Sequence, residues 1–192
     1  MLQSLSDPNP EVIALKLDFK KAFDSISFQY IRCILENINT PQIMLYLIMN
    51  MMCNLNGAII INNGHSSSFP ILQGTTQGSS LSAIIFILCL KGLCKTASDN
   101  PSTFGAIPLP DLNLLVALLA FADDMIVFTY LMYISRWLSL LSQWGKFSGV
   151  IANIGKSLFN FWSKENLIPK TKQLQDIILG HPCPQYKEFR NL

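Results

Sequence analysis

The stretch LLAFADDMIVF, residues 118–128, places two adjacent carboxylates, Asp123 and Asp124, inside an otherwise apolar run. Short apolar runs of this kind are typical of buried or half-buried strands. Two like charges about 4 Å apart repel by roughly 4 kcal/mol at an effective dielectric near 20, so a divalent cation is the natural partner of the pair. A polar hairpin turn without any ligand explains the same residues equally well. Both interpretations predict a tight hairpin. In the cation-binding interpretation, a single carboxylate is aimed into a site, because successive strand side chains point to opposite faces.

The composition is typical of a single domain with a large apolar core. The 192 residues are 50% hydrophobic and 14% charged, and the formal net charge is +2. A charge this small neither predicts nor excludes a nucleic-acid partner, because a basic binding surface is usually strong and clustered. The five cysteines are scattered, which favours reduced thiols and an intracellular location, in the cytoplasm or the nucleus.

A membrane location is the less favoured interpretation of the apolar segments. Residues 1–10 are polar and contain proline, so we expect no secretory signal there. The apolar run 83–90 ends at Lys91, and the longer run 112–133 carries both aspartates near its middle. A buried helix and a buried hairpin explain these runs better than a span does, so no membrane partner is expected.

Hydrophobic periodicity predicts the order of the elements along the chain. Residues 11–19 alternate and predict a strand, with Asp18 near its end and pointing away from its apolar side chains. The loop at 73–80 lacks the lysine of a Walker loop, so an ordinary turn and helix cap is favoured there over a phosphate cradle. Further helices are expected over 26–37, 42–53, 81–93 and 169–179, together with an amphipathic helix over 131–144 that Gly145 and Gly149 end. Further strands are expected over 57–61, over 158–162 and within 185–192. A hairpin turn is expected at 62–64 and a proline-rich connector over 98–111.

This order predicts an α+β fold with a small antiparallel sheet and helices packed on one face. Such a sheet would bring Asp18, at the end of the first strand, beside Asp123 on the acidic hairpin. Three carboxylates from two strands suit two hard cations with oxygen ligands, and magnesium keeps substrate phosphates in its shell. The pattern therefore favours phosphoryl or nucleotidyl transfer.

Four segments resemble the conserved motifs of reverse transcriptases, in the same order and with similar spacing. They are LDFKKAFD at 17–24, QGTTQGSSLSAIIF at 73–86, FADDMIVF at 121–128 and SGVIANIGKS at 148–157, which resemble motifs A, B, C and D. More narrowly, they are similar to those of LINE-type (non-LTR) retrotransposons, and YKEFRNL at 186–192 resembles the start of motif E. The resemblance implies a polymerase palm over residues 1–192, a partial domain whose fingers and thumb segments would belong to the parent polyprotein.

The resemblance also implies a role for each matching residue. The metal ligands would be Asp18, the backbone carbonyl of Phe19, Asp123 and Asp124, holding two Mg²⁺ ions, with Mn²⁺ as an alternative. Lys156 would join the three aspartates in catalysis as proton donor to the leaving pyrophosphate. The implied substrate-binding residues are Phe23, which matches the steric gate against a ribose 2′-hydroxyl, Gln77 and Gly78 of motif B, and Phe121 and Ala122 of motif C.

The implied function is that of an RNA-directed DNA polymerase, which transfers dNMP from a dNTP to a primer 3′-hydroxyl by two-metal catalysis. Its partners would be an RNA or DNA template with its primer, a dNTP, and the fingers and thumb, without which the fragment is expected to be inactive. Ser80 and Ala83 stand where motif B usually has prolines, and residues 151–153 lack a lysine usual in motif D. These departures motivate the alternative, a non-catalytic remnant or interaction protein that keeps the palm fold.

Overall fold

The computed structural model describes residues 12–76, 78–109, 112–163 and 166–173, and beyond residue 160 it describes the backbone alone. The helices are α1 Ala22–Ser25, α2 Phe28–Asn37, α3 Gln42–Cys53, α4 Ser80–Asp99, α5 Pro101–Phe104 and α6 Ile134–Ser148. The strands are β1 Val12–Leu17, β2 Phe19–Lys20, β3 Asn56–Gly57, β4 Ile60–Ile61, β5 Gly64–His65, β6 Phe69–Pro70, β7 Ile107–Leu109, β8 Leu114–Val116, β9 Leu118–Phe121, β10 Asp124–Tyr130, β11 Ile151–Ala152, β12 Leu158–Ser163 and β13 Asn166–Gln173.

The main sheet has five antiparallel strands in the order β13-β12-β1-β10-β9. Strand β1 pairs with β10 on one side and β12 on the other, so the first strand of the chain lies at the centre. Its alternate residues Ile13, Leu15 and Leu17 have no exposed surface, because they enter the same buried cluster as the helices. The predicted α+β fold, an antiparallel sheet with helices packed against its apolar face, is confirmed.

Several short elements are explained by local sequence. The turn between β4 and β5 is Asn62-Asn63, and both residues have positive φ, as the two-residue hairpin turns that match strand twist require. The predicted turn at 62–64 and the helix over 42–53 are confirmed. Helix α4 runs six residues beyond the predicted end at Leu93, through Asp99.

Three expectations need correction. Residues 98–111 are not a plain connector, because α4 ends within them and α5 and β7 follow. Gly145 lies inside α6, and only Gly149, with φ +82, ends that helix. The stretch 169–173 belongs to β13 instead of a helix, since it pairs with β12. The remaining expectations over 174–179 and 185–192 lie outside the described residues.

Helix α4 alone, among the described residues, is long and apolar enough to cross a membrane, by length and composition only. One of its faces contributes Ile85, Phe86, Cys89, Leu90 and Leu93 to the buried cluster. That packing agrees with the interpretation of this segment as a core helix.

Candidate active site

Asp18 lies at the end of the central strand, next to the tip of the acidic hairpin. The last paired residues of β1 and β10 are Leu17 and Met125. Continuing this antiparallel register by one step sets Asp18 opposite Asp124. Asp123 is in the two-residue turn that joins β9 to β10. The sheet therefore places the three carboxylates at the same end of two neighbouring strands.

The backbone of the hairpin turn adopts a conformation that most residue types disfavour. Phe121 pairs with Asp124, so the turn consists of Ala122 and Asp123. Ala122 has φ +51, in the left-handed region where glycine is favoured. Strained backbone of this kind clusters at functional sites. The side chain of Phe121, just before the turn, is 84% exposed, so motif C presents an aromatic ring to solvent beside the carboxylates.

Asp124 has a cationic neighbour on its own face of the sheet. The Lys16 Nζ lies 3.6 Å from the Asp124 Oδ1, a diagonal contact between adjacent strands. Both side chains are mostly exposed, so the ion pair is worth at most about 1 kcal/mol. A divalent cation at the hairpin would have to compete only with this weak contact.

The donor chemistry of these carboxylates suits a hard cation such as Mg²⁺, which prefers oxygen ligands. Their arrangement is open, because Asp123 and Asp124 are exposed and Asp18 is half-buried. Within the described parts of the chain, no three Asp, Glu, His or Cys side chains gather closely enough to form a metal group. The carboxylates suit divalent ions by ligand type and by strand register, but their side chains as placed do not form a three-ligand group.

Phe19 has its side chain in the core and its backbone at the site. The ring lies 5.7 Å from that of Trp144, edge to face. Phe19 pairs with Ala152, between the Asp18–Asn153 contact and the Lys20–Ile151 pair. Because hydrogen-bonding residues alternate along an antiparallel pair, the Phe19 carbonyl is directed away from β11.

Backbone contacts hold the segment of Lys156 against Asp18. The Asn153 N–H donates to the Asp18 carbonyl at 2.7 Å, and the Asp18 N–H donates to Ser157 Oγ at 3.2 Å. Ser157 is fully buried and donates its own proton to the Asn153 carbonyl at 2.8 Å. Lys156, in the turn between these two residues, lines one pocket with Asp18.

The loop before α4 is attached to the same region through backbone hydrogen bonds. The Gly74 N–H donates to the Ile26 carbonyl at 2.8 Å, and the Thr75 N–H donates to the Phe23 carbonyl at 2.7 Å. Gly74 has φ +90, and a Cβ there would lie 2.5 Å from the Asp24 carbonyl oxygen, so only glycine fits. Gly78 also has positive φ, in open space, and is exposed. Gln77 lies outside the described residues.

Phe23 is half-buried and stacks on Phe86 of α4, with ring centroids 4.7 Å apart. It belongs to α1, the short helix that follows Asp18 and receives the loop before α4. Its aromatic contact fixes one side of the ring and leaves part of its surface accessible. The role of Phe23 as a steric gate stays a prediction.

The comparisons with known proteins identify the family. The family model described as reverse transcriptase (RNA-dependent DNA polymerase) matches residues 2–183. The chain belongs to the reverse transcriptase family. This membership accounts for the order of the four motifs. Motif A lies on β1 to α1 and motif B on the loop into α4. Motif C lies on the β9–β10 hairpin and motif D on the turn before β12.

Solved structures with the same fold include telomerases from two Candida species. Telomerase from Candida tropicalis, in complex with a TWJ fragment of telomeric RNA, matches with a TM-score of 0.60 and 14% identity, over 85% of this chain and 28% of that one. The corresponding Candida albicans complex gives a TM-score of 0.58 and 15% identity, over 78% and 27%. Apo telomerase from Candida tropicalis, truncated from its C-terminal domain, gives 0.51 and 15%, over 90% and 37%. The chain thus spans 27–37% of the length of these proteins, and the likeness establishes the fold.

Several residues next to the candidate site were missed by the sequence analysis. Asn153 and Ser157 link motif D to the backbone of Asp18, and the Ser157 contact spans 139 positions. No local pattern reveals such a contact, because it depends on the register of β2 with β11. The positive charge of Lys20 and Lys21, beside motif D, was visible within motif A itself.

Proposed function

We propose that this chain is the palm part of an RNA-directed DNA polymerase, which transfers dNMP from a dNTP to the 3′-hydroxyl of a primer. The observation that carries the proposal is the β1–β10 register, which sets Asp18 opposite Asp124 beside the hairpin turn. The family match supports the same activity and spans nearly the whole chain. That extent does not favour the alternative of a non-catalytic remnant or interaction protein.

Asp18, Asp123, Asp124 and the Phe19 carbonyl would hold the divalent ions of this reaction, two Mg²⁺ or, as an alternative, Mn²⁺. When bound, two such ions supply a lowered pKa for the primer hydroxyl and neutralisation of charge on the leaving group. The protein contributes by fixing the position of Asp18, which is held through hydrogen bonds at both its N–H and its carbonyl. Positioning and charge neutralisation account for most of the rate in phosphoryl transfer.

The other site residues would act on substrate. Phe23 would exclude a ribose 2′-hydroxyl, which selects deoxynucleotides. Gln77 and Gly78 would contact the nucleotide and template, and the exposed Phe121 and its neighbour Ala122 would contact substrate at the hairpin. Lys156 would donate a proton to the leaving pyrophosphate, and its turn is tied to Asp18.

The origin, the partners, the extent and the location of the chain belong to the same proposal. We propose a LINE-type (non-LTR) retrotransposon origin on the strength of the motif sequences. The template with its primer, a dNTP, and the fingers and thumb of the parent polyprotein would be its partners. Residues 1–192 would form the palm part of that longer domain. The four cysteines among the described residues are free thiols, which supports an intracellular site of action, in the cytoplasm or the nucleus.

Magnesium-dependent dNTP binding and primer extension test this function. We expect Asp18→Ala and Asp123→Ala to lower Mg²⁺-dependent affinity for a fluorescent dNTP at least tenfold, because each removes a metal ligand. In the parent polyprotein the same changes should abolish primer extension on an RNA template. Asp99→Ala is the matched control, since Asp99 is an exposed carboxylate at the end of α4, paired with Lys95. Undiminished extension by the Asp123→Ala protein would show that the assignment is wrong.

A further inference from the structure

A series of contacts between three helices ends on Phe19, the residue that follows Asp18. The Trp144 indole N–H donates to the Tyr30 hydroxyl at 2.9 Å, and that hydroxyl donates to the Cys89 carbonyl at 3.1 Å. The Trp144 ring also meets the Phe19 ring edge to face, with centroids 5.7 Å apart. Tyr30 of α2 therefore connects α4, the helix that follows motif B, to the backbone of motif A.

The connection depends on the Tyr30 hydroxyl, which both accepts and donates a hydrogen bond. The indole N–H of Trp144 can only donate, and this residue is 7% exposed. Without the hydroxyl, the N–H would lose this acceptor inside the protein. A buried donor without a partner is costly, so the indole ring would turn or shift toward a new one. The hydroxyl thus fixes the orientation of the ring that contacts Phe19.

Phe19 passes a movement of Trp144 to the backbone at Asp18. Phe19 is 7% exposed, and a close-packed interior leaves little free space, so a displaced indole ring displaces the Phe19 ring as well. The Phe19 backbone pairs with Ala152, and the next link is the hydrogen bond from the Asn153 N–H to the Asp18 carbonyl at 2.7 Å. That hydrogen bond therefore reports whether Phe19 and Asp18 keep their places.

We propose that Tyr30 is a positioning residue for the candidate active site, because its hydroxyl holds Trp144 against Phe19 and so fixes the backbone of Asp18. The inference rests on the proposed function for its consequence, since Asp18 and the Phe19 carbonyl are the proposed ligands of the divalent ions. Tyr30 lies on α2, outside the four motif segments. It acts on the site through Trp144 and makes no contact with the substrate.

Thr129 provides a matched control, because it is a buried hydroxyl that stabilises another part of the fold. Its Oγ1 donates to the Phe104 carbonyl at 2.7 Å, and the Trp137 indole N–H donates to the same carbonyl at 2.9 Å. Thr129 lies near the end of β10 opposite to Asp124. Tyr30→Phe and Thr129→Val each remove one hydroxyl and nearly keep the volume of the side chain.

Hydrogen exchange of the Asn153 amide in the metal-free protein, followed by NMR, tests the proposal. We expect Tyr30→Phe to speed this exchange at least about tenfold more than its loss of stability in urea explains, because the hydrogen bond to Asp18 opens locally. Thr129→Val should speed the exchange no more than its own loss of stability explains. Equal excess exchange in the two variants, or none in either, would overturn the proposal.

A double-mutant cycle tests whether Tyr30 acts through Trp144. Trp144→Phe removes the indole N–H and keeps an aromatic ring at this position. In that background, Tyr30→Phe should change the excess exchange of the Asn153 amide by less than about twofold, because the hydroxyl no longer holds an indole. A further increase as large as in the wild-type background would show that Tyr30 reaches the site by another route, which overturns the proposal.

Mg²⁺-dependent binding of a fluorescent dNTP separates this inference from the proposed function. We expect Tyr30→Phe to raise the Mg²⁺ concentration for half-maximal binding at least about threefold, and Thr129→Val to leave it unchanged. Excess exchange at Asn153 in a protein whose wild type shows no Mg²⁺-dependent binding would support the positioning role and overturn the proposed function. Unchanged exchange and an unchanged Mg²⁺ requirement in Tyr30→Phe, where Asp123→Ala abolishes binding, would overturn the positioning role alone.

Discussion

Ala122, in the hairpin turn, has a backbone conformation that alanine disfavours. Alanine has a Cβ that clashes with its own backbone in the left-handed region, at a cost of about 1 to 2 kcal/mol. The two-residue turn between β9 and β10 nevertheless holds it at φ +51. The hairpin itself was predictable from the Asp123-Asp124 pair in an apolar run. The strained residue was not, because the register of the strands decides which residue occupies the turn.

Replacing Ala122 by glycine should stabilise the protein. We expect Ala122→Gly to raise the free energy of unfolding by up to about 1 kcal/mol, since glycine adopts positive φ without the Cβ penalty. Ala120→Gly is the control within β9, two residues before the turn. It should lower the free energy of unfolding by about 0.5 to 1 kcal/mol, as glycine does inside strands. Urea unfolding measures both, and equal destabilisation by the two changes would contradict strain at Ala122.

The elements that the sequence predicted well are those with a strong local pattern. Helix α3, the Asn62-Asn63 turn and the acidic hairpin each depend on periodicity or turn chemistry within a short window. Pairing between distant segments was not predictable. The part of β13 from Pro169 onward was expected to be helical, but its residues 170–173 pair with β12. The two-residue pair of β2 with β11 leaves no periodic signal, although it positions Lys156 beside Asp18.

Gly149 provides a test of how motif D is attached to motif A. It has φ +82, and a Cβ would meet the Ser25 carbonyl oxygen at 2.4 Å. Gly78 has a similar φ of +88 with nothing within 4 Å of its Cβ position. Gly78→Ala should therefore cost only the left-handed penalty, about 1 to 2 kcal/mol. Gly149→Ala should cost clearly more, because the backbone of α1 or β11 must also shift, and thermal unfolding measures the difference. Equal costs for the two variants would show that the close contact carries no energy.

At the scale of the whole molecule, a chain of partly buried hydrogen bonds joins three helices. Trp144 of α6 donates its indole N–H to the Tyr30 hydroxyl at 2.9 Å, and that hydroxyl donates to the Cys89 carbonyl at 3.1 Å. Burial raises the pKa of the Tyr30 hydroxyl, an effect that the bond from Trp144 partly offsets. The apolar character of the core was predictable from composition. This connection between α2, α4 and α6 was not, because it joins residues up to 114 positions apart.

Burial of Cys89 lowers the stability of the whole fold at alkaline pH. The thiol is 1% exposed, and desolvation raises its pKa from 9.0 to about 12. Between these values the unfolded chain has lost a proton that the folded chain keeps, so the free energy of unfolding falls as pH rises. The contribution is fully present below about pH 9 and is lost by about pH 12, and it amounts to at most about 4 kcal/mol at 1.36 kcal/mol per pKa unit.

Urea unfolding between pH 8 and pH 11 should therefore show a steady loss of stability in the wild-type protein. Cys89→Ala removes the titrating thiol and should flatten this profile, even though the smaller side chain lowers stability at every pH. Cys33→Ala, which removes an exposed thiol on α2, is the control for the loss of a thiol as such. Tyr30 shifts in the same direction, so some slope should persist without Cys89. A Cys89→Ala profile parallel to that of the wild type would show that this thiol ionises in the folded protein as readily as in the unfolded chain.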